Sequence, residues 1–163
     1  MKQTKTNAMR MLDRRKIPYV LKEFPLDGQK AAVHLGLEPA RLFKTLVTTD
    51  TAGGYFVFCV PSSEELDLKK AARAVGAKRI EMLRQKELLP LTGYIHGGCS
   101  PVGMKKLFPT VLDESALQWN VIVVSAGHVG MLMELAPAAL LELIDAGTAQ
   151  ITKEAPSGQA PVL

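Results

Sequence analysis

The chain has 163 residues, 47% hydrophobic and 22% charged, with a net charge of +4. That suffices for a single globular domain with a core, expected over residues 1–155, ahead of a Pro/Gly/Ser-rich tail at 156–163 that is expected to be disordered. No apolar run reaches the roughly 18 residues of a membrane span, and the charged start "MKQTKTNAMRMLDRRK" lacks the apolar stretch of a secretory leader.

Two cysteines, Cys59 and Cys99, cannot build a disulfide framework and read as reduced thiols of a cytoplasmic protein. The charge is uneven. Residues 1–106 carry 19 basic and 10 acidic side chains; residues 107–163 carry 1 and 6. A basic face follows. It is either a solvated surface or a dock for an anionic partner, RNA included.

In chain order, "TKTNAMRMLDRRK" (4–16) predicts a helix capped by Thr6 or Asn7 and stopped by Pro18. "YVLKEF" (19–24) reads as a strand and "GQKAAVHLG" (28–36) as a short helix. "ARLFKTLVTTD" and "GYFVFCVP" are strands rich in β-branched and aromatic residues, and "TAGG" (51–54) makes them a hairpin. "SSEELDLKKAARAVG" predicts a helix that starts from a Ser62–Glu65 capping box or from Asp67 and closes at Gly76. "RIEMLRQKELLP" predicts a second helix ended by Pro90. After a Gly-rich stretch, "TVLDES", "WNVIVVSAG" and "GMLMEL" supply short strands, and "APAALLELIDAG" a last helix with Gly147 at its end. The pattern is mixed α/β, with hairpins rather than regular βαβ repeats.

The Gly-rich stretch "TGYIHGGCSPVGMKK" (92–106) concentrates the candidate chemistry. His96 and Cys99 form a lone H-x-x-C pair, whereas zinc takes three or four protein ligands, so no metal is expected. A Cys99–His96 dyad can be drawn, but the simpler reading is a small side chain in a tight loop. No G-x-S-x-G surrounds Ser100 or Ser125. A phosphate loop fails too, because Met104 stands where the lysine belongs and Lys105 where Ser/Thr belongs. The backbone remains. Gly97 and Gly98 either make a tight turn or let their amides approach an anion or oxyanion, with Pro101 fixing the path.

In "LFKTLV", alternation sets Lys44 between Leu42 and Leu46 on one face and Phe43, Thr45 and Val47 on the other. An unpaired ammonium in apolar surroundings is costly, so Lys44 must snorkel out at a rim or point into a polar cleft.

These elements carry a resemblance. "FKTLV" (43–47), "LDLKKAA" (66–72), "TGYIHGGCSPVG" (92–103) and "VSAG" (124–127) are similar to the YbaK/ProX/EbsC family of aminoacyl-tRNA deacylases, and "TNAMRMLDRRKIPYVLKEF" to its YbaK branch. The likeness covers about residues 4–152. It implies an α/β (α+β) fold with a central, curved, mixed sheet flanked by helices, the fold of the editing domain of prolyl-tRNA synthetases. It implies hydrolysis in trans of mischarged Cys-tRNA(Pro), with Cys-tRNA(Cys) as a second substrate and Ala-tRNA(Pro) deacylation or non-catalytic tRNA or synthetase binding as the rival readings.

By the same resemblance Lys44 and Gly97 are the catalytic residues. Tyr19, Phe43, Thr45, Gly98, Cys99, Ser100, Pro101 and Ser125 line the substrate site, the ester lying between Lys44 and the Gly97–Pro101 loop. Amides of Gly97–Cys99 would meet the oxyanion, and the substrate's own thiol would assist, leaving Cys99 a bystander. Lys69, Lys70 and Arg73 either meet the tRNA or form a solvated helix face. No cofactor, metal or membrane is implied. The partners are mischarged tRNA and, in a transient complex, prolyl-tRNA synthetase, with the chain a monomer or weak dimer. One departure stands out: relatives often read Lys-Arg-Gly after "VSAG", where this chain has His128-Val129-Gly130.

Overall fold

The structure is a computed structural model that describes residues 5–23 and 36–153. The predicted helix at 28–36 and the tail at 156–163 therefore fall, but for Gly36, outside the described residues. The first helix, α1 (Asn7–Arg14), is capped by Thr6, whose hydroxyl accepts the Met9 N–H at 3.1 Å and itself donates to the Ala126 carbonyl. It buries Ala8, Met9 and Leu12. The helix stops before Pro18, because Lys16 already turns left-handed at φ 58°.

Strand β1 (Val20–Glu23) pairs antiparallel with β7 (Met131–Leu135), which pairs antiparallel with β6 (Ile122–His128). A 3-10 turn over Pro39–Arg41 leads into β2 (Phe43–Thr49), and β2 and β3 (Tyr55–Pro61) form the predicted hairpin. Asp50 closes its tip, Oδ1 accepting the amides of Ala52 and Gly54 at 2.8 Å each. A five-stranded mixed sheet then runs β4-β2-β3-β5-β8, with β4 (Glu81–Met82) antiparallel to β2, β5 (Thr110–Asp113) parallel to β3 and β8 (Gly147–Ala149) parallel to β5. One parallel bridge, Leu42 to Val123, joins it to the three-stranded sheet.

Two elements depart from expectation. The predicted helix over 79–90 is instead β4 (Glu81–Met82), paired to Thr48–Thr49 of β2, followed by α3 (Gln85–Thr92). Pro90 lies inside α3 and does not end it; the left-handed Gly93 does. Helix α2 (Leu68–Val75) takes the Asp67 start, one of the two that the sequence offered. The last helix, α4 (Pro137–Leu143), has Pro at its first turn as expected, but Asp145 at φ 51° makes the turn and Gly147 opens β8.

The hairpin separates two cores. Phe43, Val47, Val57 and Cys59 belong to a large core with α1, α4, the 92–103 loop and β6–β7. Phe58 and Val60, with Leu46 and Phe56 against them, belong to a smaller core under α2. This is strand alternation at work: successive residues serve opposite layers.

Candidate functional site

Lys44 sits on the small-core side of β2. It lines a cleft of about 550 Å³ with Leu46, Leu66, Leu68, Met82 and Lys69, and with Glu65 and Lys153 at the rim. The cleft is the polar one that alternation offered as one of two outcomes. Burial pushes the Lys44 ammonium below the ordinary lysine value, and the carboxylates of Glu65 and Glu64 pull it part of the way back. Those acids arrive by hairpin register: Lys44 is opposite Val60, four and five residues before Glu64 and Glu65. Glu65 is held at 3.6 Å from Lys153.

Across the one bridge to β6, register sets Ser125 level with Lys44. Each lies two residues past the Leu42–Val123 pair, hence on the same face. The Ser125 hydroxyl accepts the Gly127 N–H at 3.1 Å where β6 bulges.

The 92–103 loop packs on the other side of the hairpin. Tyr94, Cys99 and Val102 are buried in the large core, and the Tyr94 hydroxyl donates to the Val102 carbonyl at 2.7 Å. Burial drives the Cys99 thiol up to about 12, and that of Cys59 likewise. Ser100 is buried, its hydroxyl accepting the Val102 N–H. Gly97 is exposed at φ +88°, next to Val129. Gly98 is tighter: an added Cβ would lie 2.8 Å from the Val129 nitrogen and 3.0 Å from the His128 carbonyl carbon.

Of the three amides expected to face an oxyanion, Gly98 is engaged with the Ile95 carbonyl at 3.0 Å; Gly97 and Cys99 donate to no acceptor among the described residues. The loop thus abuts the β6–β7 turn, at the end of the strand that bears Ser125. None of its residues lines the Lys44 cleft, and Pro101 lines a separate cleft near α1. Among the described residues no three His, Cys, Asp or Glu side chains come together as a metal site.

The family model of the aminoacyl-tRNA editing domain matches residues 27–143. The chain belongs to that family. An Enterococcus faecalis protein provisionally named Cys-tRNA(Pro)/Cys-tRNA(Cys) deacylase EbsC is 52% identical over 155 residues, 92% of this chain and 94% of that one. A solved structure, described provisionally as a trans-editing enzyme for prolyl-tRNA synthetase, matches with 29% identity and a TM-score of 0.81, over 93% of this chain and all of that one. A hypothetical protein, APE2540, shares the fold at 24% identity and TM-score 0.84, over 91% of this chain and all of that one.

In this editing domain the remaining predicted residues divide. Phe43 is buried in the large core, and Thr45 faces the same way, its hydroxyl 3.9 Å from the Cys59 sulfur. Tyr19 is half-buried against that core, where burial raises its phenol above the usual value, with Asp13 adding to the rise. Of the basic helix, Lys70 donates to the Thr152 carbonyl at 2.9 Å, Lys69 lines the Lys44 cleft, and Arg73 is exposed. Glu64 and Met82 escaped sequence reasoning, and Glu65 entered it only as a capping candidate. Counting the hairpin register would have found the two acids, while Met82 needed the strand that a helical pattern hid. His128 is exposed, its Nδ1 2.8 Å from the Val129 carbonyl oxygen.

Proposed function

We propose that the chain hydrolyses the aminoacyl ester of mischarged tRNA in trans, with Cys-tRNA(Pro) the first substrate and Cys-tRNA(Cys) the second. The observation that carries this reading is the half-buried Lys44 ammonium beside Leu46, Leu66, Leu68 and Met82, in a cleft that Glu65, Asp67, Lys69 and Lys153 also line, within a chain of the editing family. An apolar floor with charged groups around it, Lys44 among them, suits a small uncharged side chain carried on an ester next to phosphate. Lys44 holds the ester carbonyl or the terminal ribose-phosphate by charge, and Ser125 on the neighbouring strand orients it. The unengaged amides of Gly97 and Cys99 take the oxyanion if the ester reaches past Ser125 to the strand end; each such donor is typically worth about 3 kcal/mol. The buried, high-pKa thiol of Cys99 argues against an enzyme nucleophile and in favour of the substrate's thiol or water. A transient complex with prolyl-tRNA synthetase would supply the mischarged tRNA.

A deacylation assay over Cys-tRNA(Pro), Cys-tRNA(Cys), Ala-tRNA(Pro) and Pro-tRNA(Pro) tests the reading. The cysteinyl esters should turn over, and Lys44→Ala should lower the rate by about 100-fold or more. A preference for the alanyl ester would reassign the substrate. Binding without turnover on any ester would leave a tRNA-binding module.

A further inference from the structure

On the α1 side of the molecule lies a second cleft, of about 330 Å³, that shares no residue with the Lys44 cleft. Its apolar floor includes Met11, Leu107 and Phe108, and its cations are Arg14, Arg15 and Lys106. Leu107 is 60% exposed, a large apolar side chain held in water beside three charges. No carboxylate lines the cleft among the described residues. The acids closest in sequence are Asp13, which is paired with Lys5, and Glu142 and Asp145, which flank the lining pair Leu143–Ile144. None of the three cations forms an ion pair or hydrogen bond among the described residues. Three unneutralised cations around an apolar floor suit a ligand that is anionic and flat at once. A nucleotide is such a ligand: guanidinium forks match phosphate oxygens, and any base can lie on an apolar surface.

We propose that this cleft binds RNA, as a docking site for the tRNA substrate away from the ester. Phosphodiester oxygens meet Arg14, Arg15 and Lys106, and a base or ribose covers Leu107 and Met11. Contacts of this kind are tolerant of sequence and sensitive to salt. The proposal rests on the reading that the substrate is a tRNA, but its measurement uses uncharged tRNA and needs no turnover.

The test is fluorescence anisotropy of labelled, uncharged tRNA against the full chain over a range of salt concentrations. The triple variant Arg14→Gln/Arg15→Gln/Lys106→Gln should weaken binding by about tenfold or more and make the slope of log K against log salt shallower by about 2 to 3. Leu107→Ser should weaken binding severalfold with the slope unchanged. The exposed pair Lys78→Gln/Arg79→Gln, elsewhere on the surface, should change neither. In single-turnover deacylation the triple variant should need more enzyme for half-maximal rate yet reach the wild-type rate at saturation.

Wild-type affinity and slope in the triple variant would overturn the proposal, as would equal losses from the Lys78/Arg79 pair. So would a cleft that takes polyglutamate or anionic vesicles in a charge-dependent way while tRNA binding ignores it. Should the triple variant misfold, amine labelling of the wild-type chain decides: tRNA must protect Lys106 and leave Lys78 reactive, and an unprotected Lys106 refutes the site. If no aminoacyl ester is hydrolysed at all, the deacylase reading fails and the anisotropy results still stand or fall alone.

Discussion

At the level of single residues, burial of the Lys44 ammonium costs the fold stability. Its folded-state pKa lies below the ordinary value, so the folded chain holds that proton less tightly than the unfolded chain does. The destabilisation is present in full below the folded pKa and is relieved as pH rises through it towards 10.5, the ordinary value. Lys44→Met should therefore raise Tm slightly at pH 7, with a gain that shrinks as the pH becomes alkaline, and should abolish deacylation. A melting series across pH checks the first claim, and a fall in Tm at neutral pH would contradict it. If the charged ammonium does the work, the enzymatic rate should fall as pH rises through that lowered pKa. Lys44→Arg, always charged, should move the fall upward or remove it.

Cys99 makes the opposite case. A thiol pushed up to about 12 is neither nucleophile nor redox sensor at neutral pH, so Cys99→Ala should keep at least about half the activity and lose at most about 2 kcal/mol from the buried contact. An inactive, folded Cys99→Ala would restore the enzyme-nucleophile mechanism. The two neighbouring glycines also separate. Gly97→Ala meets only Val129 Cγ2 at 3.6 Å and costs the left-handed strain of about 1 kcal/mol, whereas Gly98→Ala collides with backbone and must displace the β6–β7 turn. Thermal melts should rank Gly98→Ala well below Gly97→Ala. The sequence made Lys44 legible because a cation between two leucines breaks the alternation of its strand. It left the two glycines indistinguishable, since their difference lies in who approaches from β7's turn.

At the level of elements, α2 shows local signals deciding an outcome. Asp67 Oδ1 accepts the amides of Lys69 and Lys70 at 2.9 and 3.0 Å, and Gly76 closes the far end in the left-handed region. Those amide bonds, Lys70's first, hold the Asp67 carboxyl below its usual range. The cap's contribution is thus present above the ordinary carboxylate pKa and is lost as pH falls through the lowered value. Asp67→Ala should cost about 1 kcal/mol at pH 7 and less in acid, measurable by urea melts at the two pH values. Because α2 walls the Lys44 cleft, its activity should fall as well. The stretch 79–90 shows the reverse. Its apolar spacing reads as one helix, yet Thr48–Thr49 recruit Glu81–Met82 as a strand, and the Leu83 N–H donates to the Val47 carbonyl at 3.0 Å. Pairing with a distant strand overrides local preference, and such a pairing has no local signature.

At the level of the whole molecule, the β2–β3 hairpin acts as a partition. Lys44 and Leu46 look to the smaller core, and Phe43 and Val47 to the larger one, which also carries Met11 and Phe108 of the second cleft. The hairpin was legible from strand patterns, the editing family from short motifs, and the mixed sheet only through that resemblance. The division of labour between faces was not, because charged side chains at 14, 15 and 106 meet only through tertiary packing. The partition makes a quantitative claim about coupling. Sites with no shared lining residue, on opposite sides of a packed layer, should lose free energy independently, to within about 0.5 kcal/mol. Combining Lys44→Ala with Arg14→Gln/Arg15→Gln/Lys106→Gln should multiply the separate losses in single-turnover kobs measured below saturation, within a factor of about two to three. The reason is physical: in the proposed roles one set alters how much tRNA is bound, and the other how fast bound ester breaks. A combined variant no worse than Lys44→Ala alone would mean that the α1-side cations act only through Lys44, and the two faces would then have to be described as a single site.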